Sequence, residues 1–561
     1  FSQFNMNNIE RVEVIKGGLS TVYGSGAMGG VVNIITENNP NSMYININSF
    51  YDMPKIFSNS LGFGIGYKKI SYSGNINYSR TNGYDLTPPS FDAGEDYKPI
   101  TKTLDEYSSI SLDQKVSFNI DSKSTISLSY KYYVKNIYKY EFIDNDSKTY
   151  LYEELPVFEN ETIGVNYKKT LNKISAISFS HQNEKYSKSF YFPYYYEGDP
   201  DSHTINGETF LWSSPTTSTS SILYNTTLNT HKLLFGLDYI HQSYSSVNIP
   251  KSDGLDILTH SIFGEDATKN MSETSIFILD NFKYYDIDFN LGARINHHSK
   301  YKSRISPSIS LMKIINSYNY RLNFSQSYRI PSLKEIYYSY ENHGGGFPII
   351  GNENLKPSTS NYYSASIESR KYINNSIEFY YNNVSNMIAN RFVTDEDDLT
   401  VYQYHNYKDV NLYGFNISLF LNPLEKITFN SAYTYTGAES NYEDVIDGIS
   451  AHSVNLKLKY NPLKDWDILL TSKFNSSKTV DTEQTTPDNR NNFLLPAYSI
   501  SNLSITKNFK GRNYLKMGVK NIFNYIDKNN DPGLQDFLSS YEPGRRIFVS
   551  INFKLSKEYN E

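Results

Sequence analysis

The chain has 561 residues, a formal net charge of −6, no cysteine, 52 Tyr, 32 Phe and only 2 Trp. The missing cysteines exclude disulfides and Cys-based metal sites. The acidic balance gives no reason to expect a nucleic-acid partner, and no run of about 18 or more apolar residues offers a membrane-spanning helix. A weakly hydropathic chain of alternating strands remains open, because a barrel strand crosses a bilayer with about ten residues of alternating character.

In chain order, the first element is Ile9–Thr36, IERVEVIKGGLSTVYGSGAMGGVVNIIT. It reads as two apolar strands, Ile9–Lys16 and Val31–Thr36, joined through Gly17, Gly18, Tyr23, Gly24, Gly26, Gly29 and Gly30. Gly24, Gly26, Gly29 and Gly30 are expected to supply positive φ and close backbone approach. Gly24-x-Gly26-x-x-Gly29 also fits a dinucleotide fingerprint. That motif must open a helix, and here the β-branched VVNIIT follows, so a nucleotide site is rejected. The segment resembles the last part of the plug domain of TonB-dependent outer-membrane receptors. The resemblance implies a plug remnant over 1–40, a barrel over 41–555 and a short tail over 556–561. It also implies that the front of the plug, with a signal peptide and TonB box, lies upstream.

From about Asn41 the chain repeats an alternating segment, a short turn, another alternating segment and a long loop. Ile126, Leu128, Tyr130 and Tyr132 alternate with Ser127, Ser129 and Lys131; Val454, Leu456, Leu458 and Tyr460 alternate with Asn455, Lys457 and Lys459. Period 2 puts one set on oil and the other on water. Short connections are expected at Asn172-Lys173, Asn229-Thr230, Asn374-Asn375, Asn422–Glu425, Asn461–Lys464 and Lys510–Arg512. Long ones are expected near 82–108, 138–157, 188–215, 246–270, 329–358, 475–495 and 525–543. Turns on one side and loops on the other predict an all-β, transmembrane antiparallel barrel of about 22 strands, with the plug remnant in its lumen.

The loop over 329–358 carries Tyr328-Arg329-Ile330-Pro331, then His343, then Asn352-Glu353-Asn354-Leu355. It resembles the paired boxes of haem receptors in this family, with Ile330 and Glu353 where Ala and Pro are usual. The resemblance implies His343 as a haem-iron ligand. Tyr337, Tyr338 and Tyr340 are then available for stacking or ligation, and Arg329 and Lys334 for the propionates. His203 and His405 are candidates for a second ligand. Siderophore and cobalamin receptors remain alternatives, since related boxes shape their barrel walls. In Phe190–His203, aromatics precede Asp199 and Asp201; two carboxylates are too few for calcium, which is not favoured. Asp395–Asp398 reads as a solvated tip.

At the C-terminus, NYLKMGVKNIFN and YEPGRRIFVSINFKL resemble the last two strands of the same family, with Ile547, Val549, Ile551 and Phe553 on the lipid face. The resemblance implies a monomeric receptor in a Gram-negative outer membrane, energised by the TonB–ExbB–ExbD complex and holding no intrinsic cofactor. A passive porin is disfavoured by the plug segment. An outer-membrane enzyme is disfavoured because no catalytic motif occurs in its required context.

Overall fold

The computed structural model describes residues 9–36, 42–53, 55–84, 104–145, 148–192, 208–249, 268–340, 348–369, 374–394, 400–440, 449–483, 490–526 and 544–558. Twenty-two antiparallel strands close into a barrel, in which the first strand, Ser42–Asp52, pairs with the last, Arg546–Glu558. The expected strand number is the one found. The last strand runs past the expected boundary at 555, because Ser42, Met43 and Tyr44 pair with Glu558, Lys557 and Ser556.

Alternation decides which side chain meets which medium. On the strand Thr268–Tyr284, Glu273, Ser275 and Phe277 are buried while Ile276 is 65% exposed. Leu128, Leu456, Leu458, Ile547, Ile551 and Phe553 are likewise exposed, all from the sets expected to face oil. An apolar collar of this kind has no place in water. In a bilayer it is the lipid contact, and closure leaves no unpaired strand edge there.

The turns at one end are short, such as Leu228 to His231 with Asn229 at φ 53, a left-handed conformation that asparagine tolerates. At the other end the loops differ from expectation in two places. Residues 138–157 were expected as a loop, but Ser124–Asn145 and Lys148–Thr170 run through as a ribbon. Above the membrane a strand needs no apolar face, so the alternation stops while the ladder continues. Back at the short-turn end, Asn374 and Asn375 open a strand instead of forming the expected turn, with Asn375 opposite Ser369. Met387–Thr394 and Thr400–Tyr407, not expected as strands, pair as a hairpin at the loop end. That hairpin joins Ser339–Tyr340 and Ile349–Ile350 in a four-stranded sheet over the barrel mouth.

Candidate ligand site at the barrel mouth

The site is built upward from the N-terminal segment. Ile9–Lys16 and Gly30–Thr36 pair as a hairpin, with the short helix Ser20–Tyr23 in its connection. Glycines let this segment touch the wall. Gly17 has φ 86, and a Cβ there would lie 2.5 Å from the Tyr362 ring; Gly24 has φ 75 and faces the Arg294 guanidinium. At Gly30 (φ 141) a Cβ would strike the Ile15 carbonyl oxygen. Gly29 differs from expectation: its φ is not positive and a Cβ there would meet nothing within 4 Å, so neither reason for a glycine applies.

The docking bonds are polar. Thr21 Oγ1 donates to the Ser306 carbonyl at 3.0 Å, and the amide of Tyr328 donates to Ser20 Oγ at 3.2 Å. The Gly26 amide donates to the Tyr328 carbonyl at 3.2 Å and the Ile330 amide to Ser25 Oγ at 3.0 Å. Beneath them Arg294, 1% exposed, donates to Asp238 at 2.8 Å and lies over the Phe277 ring. Tyr328 is also buried, and its hydroxyl donates to Glu273 Oε1 at 2.9 Å, an oxygen that also accepts from Asn296.

Tyr328–Ile330 therefore touch the docked segment, and the same residues open the outer loop. Arg329 donates to both carboxylate oxygens of Glu335, at 2.9 and 2.7 Å. Glu335 closes a capping box with Ser332 at the start of the helix Leu333–Tyr337. Burial pushes the Glu335 carboxyl up, but hydrogen bonds from Arg329 and Ser332 outweigh it and hold it below the ordinary carboxylate value. Arg329 is thus committed to Glu335 and not free for propionates. Pro331, Leu333 and Ile336 are buried, and Leu333 packs with Tyr244, Ile249 and Met271.

The second box is architectural too. Asn352 donates to the Tyr404 carbonyl at 2.9 Å, its Oδ1 accepts from the Asn354 amide, and Leu355 is 2% exposed. These contacts fasten the loop to the 387–407 hairpin. His343, Asp199, Asp201, His203 and Asp395–Asp398 lie outside the described residues. His405 sits on that hairpin; burial, then Arg391, lowers its pKa. Among the described residues no group of three or more His, Asp or Glu is arranged to hold a metal.

What the loop does bring together is a cluster of rings and ammonium groups at the mouth. Lys300 Nζ donates to the Tyr337 hydroxyl at 3.0 Å, and Lys269 lies 5.3 Å from the same ring's centre. Lys334 lies over Tyr338 at 4.7 Å, and the Tyr338 hydroxyl accepts from Asn248 at 3.0 Å. Tyr340 meets Trp212 edge-on at 6.5 Å, and Trp212 meets Phe190 at 5.3 Å. Among the described residues Lys269 and Lys334 make no ion pair, while Lys300 has Glu353 at 3.5 Å. Sequence reasoning missed Lys269, Lys300 and Trp212. A signal existed for Lys269, which shares the inward phase of Met271, Glu273 and Ser275 on its strand.

Comparisons with known proteins agree on the architecture. The family model described as "TonB dependent receptor-like, beta-barrel" matches residues 16–524. The chain is 22% identical to "Probable TonB-dependent siderophore receptor PirA" of Acinetobacter baumannii, over 97% of this chain and 80% of that protein. A ferric enterobactin receptor (PfeA) mutant from Pseudomonas aeruginosa, solved with enterobactin, superposes at TM-score 0.81 and 19% identity, over 99% of this chain and 87% of that one. The FrpB iron transporter of Neisseria meningitidis gives TM-score 0.73 at 13% identity, over 98% and 88%. Likeness at these identities speaks for the fold.

Proposed function

The chain belongs to the TonB-dependent receptor-like β-barrel family, and from that premise we propose that it takes up an anionic ferric siderophore. The coarser statement needs no proposal. This is a receptor of the Gram-negative outer membrane for small-molecule ligands, and its family consists of transporters, not enzymes. Energising by TonB belongs to the proposal, because the outer membrane has no ATP and the work must come from a partner reaching across the periplasm.

The observation that carries the siderophore reading is the mouth cluster of Lys269, Lys300 and Lys334 set on Tyr337 and Tyr338. Ammonium groups on aromatic faces attract a bulky anion while the rings supply flat apolar contact. The relatives' names, a siderophore receptor and a ferric enterobactin receptor, support the same ligand class. Haem would instead need an axial ligand, for which the sequence offers His343.

The test is a titration of the purified chain, followed by its own Tyr and Trp emission, with ferric enterobactin, haemin and cyanocobalamin. Saturable quenching by the ferric siderophore alone is expected. Haemin binding with a shifted Soret band, lost in His343→Ala, would replace this reading by haem uptake. Cyanocobalamin binding alone would replace it by cobalamin uptake.

A further inference from the structure

The short-turn end of the barrel, which faces the periplasm in this family, carries a charge pattern that ligand uptake does not use. Although the chain as a whole is at −6, three successive turns along the wall, 67–70, 119–124 and 170–175, are rich in lysine. Lys68, Lys69, Lys123 and Lys173 on these turns, and Lys168 and Lys169 on the strand end that enters the third, are all exposed. The only acid on these turns among the described residues is Asp121, which accepts from the Lys123 amide at 2.7 Å and from the Ser124 hydroxyl. Its charge is thus partly absorbed by its own turn.

Apolar side chains alternate with these lysines in the same turns. Tyr67 is 62% exposed, Ile70 55% and Ile174 54%, with Ile120 and Leu171 beside them. Lys68 Nζ lies 5.0 Å from the centre of the Tyr67 ring. Exposed apolar groups under exposed ammonium groups fit one environment, the boundary between acyl chains and headgroups. There the stems lie in oil and the charges reach the phosphates. A neutral zwitterionic surface would not repay six clustered like charges, whereas an anionic one lowers the energy of each lysine near it.

We propose that these three turns form a binding surface for anionic phospholipid headgroups in the periplasmic leaflet of the outer membrane. The proposal rests on the barrel's orientation and not on the cargo. An acidic periplasmic polymer is the competing occupant.

Native mass spectrometry of the full chain released from nanodiscs of phosphatidylethanolamine and phosphatidylglycerol in equal parts tests it. Retained phosphatidylglycerol should exceed phosphatidylethanolamine on the order of tenfold. Lys68→Gln/Lys123→Gln/Lys169→Gln should bring that ratio near one. Lys283→Gln/Lys426→Gln/Lys464→Gln removes the same charge from other turns and should keep it. Equal retention of the two lipids by the unaltered chain would overturn the proposal, as would equal loss in both variants. Absent lipid preference with tight binding of soluble acidic peptidoglycan fragments would hand the surface to the competing occupant.

Discussion

Single residues hold the N-terminal segment in place, mostly with polar bonds, while Met28 adds an apolar contact to Val384, Tyr407 and Val410. Arg294 is the central one: a buried guanidinium shared between Asp238, the Phe277 ring and the Val22 carbonyl, the last at 3.5 Å. Arg294→Ala leaves a largely buried Asp238 without its cation, at a cost on the order of 3 kcal/mol. Amide exchange at Ser20–Gly26 should rise accordingly, and adding Asp238→Asn should return part of the loss. Gly17→Ala should loosen the same segment by about 1–2 kcal/mol, since φ 86 is strained for alanine and the added methyl meets Tyr362. A protease ladder cutting within residues 9–36 at unchanged rates would contradict that. The glycines and the Tyr23-Gly24 pair were legible in the sequence. Their partners were not, because Arg294 and Tyr362 lie hundreds of positions away and carry no local mark.

Elements show where a periodic signal is enough and where it fails. Inside the bilayer one face must be apolar, so alternation announces the strand. Leu456 and Asn455 are neighbours on His452–Tyr460, yet one meets lipid and the other the lumen. Leu456→Lys should cost about 2–4 kcal/mol of folding stability in vesicles. Asn455→Asp, opposite Lys473, should stay within about 0.5 kcal/mol. Equal losses in urea titrations would mean that the faces are wrongly assigned. Above the bilayer that requirement ends, which is why the ribbon over 138–157 and the hairpin over 387–407 were not legible.

The outer helix Leu333–Tyr337 gives a pH dependence whose sign follows from Glu335. Its carboxyl is depressed below the ordinary value of 4.5. The stability it contributes is therefore complete above that ordinary value and lost as pH falls through the lower folded value. Exchange of the helix amides should stay flat from neutral pH to about 5 once corrected for intrinsic rates, then rise on further acidification. Glu335→Gln should show the raised level at every pH.

At the scale of the molecule, the closed barrel and the family could be read from alternation, from turns set opposite loops, and from Ile9–Thr36. The cargo could not. The paired boxes around 328–331 and 352–355 resembled those of haem receptors, with Arg329 offered to a propionate, and the structure gives them an architectural task. Tyr328 and Ile330 bond the docked segment, Arg329 and Pro331 brace the outer helix, and Asn352 fastens the mouth sheet. The cationic rings beside them come from strands and loops scattered along the chain, Lys269 and Lys300 among them, and no local motif joins those positions. The mouth and the docked segment meet at Tyr328–Ile330, where Tyr328 and Ile330 bond the segment and Arg329 braces the outer helix.

The most direct measurement is the affinity for ferric enterobactin of the unaltered chain and of Lys269→Gln/Lys300→Gln/Lys334→Gln. Removing three ammonium groups from the mouth should weaken binding by at least about tenfold, and the remaining binding should lose most of its salt dependence. Unchanged affinity and salt dependence in the triple variant would contradict the claim that this mouth recognises an anionic ferric ligand.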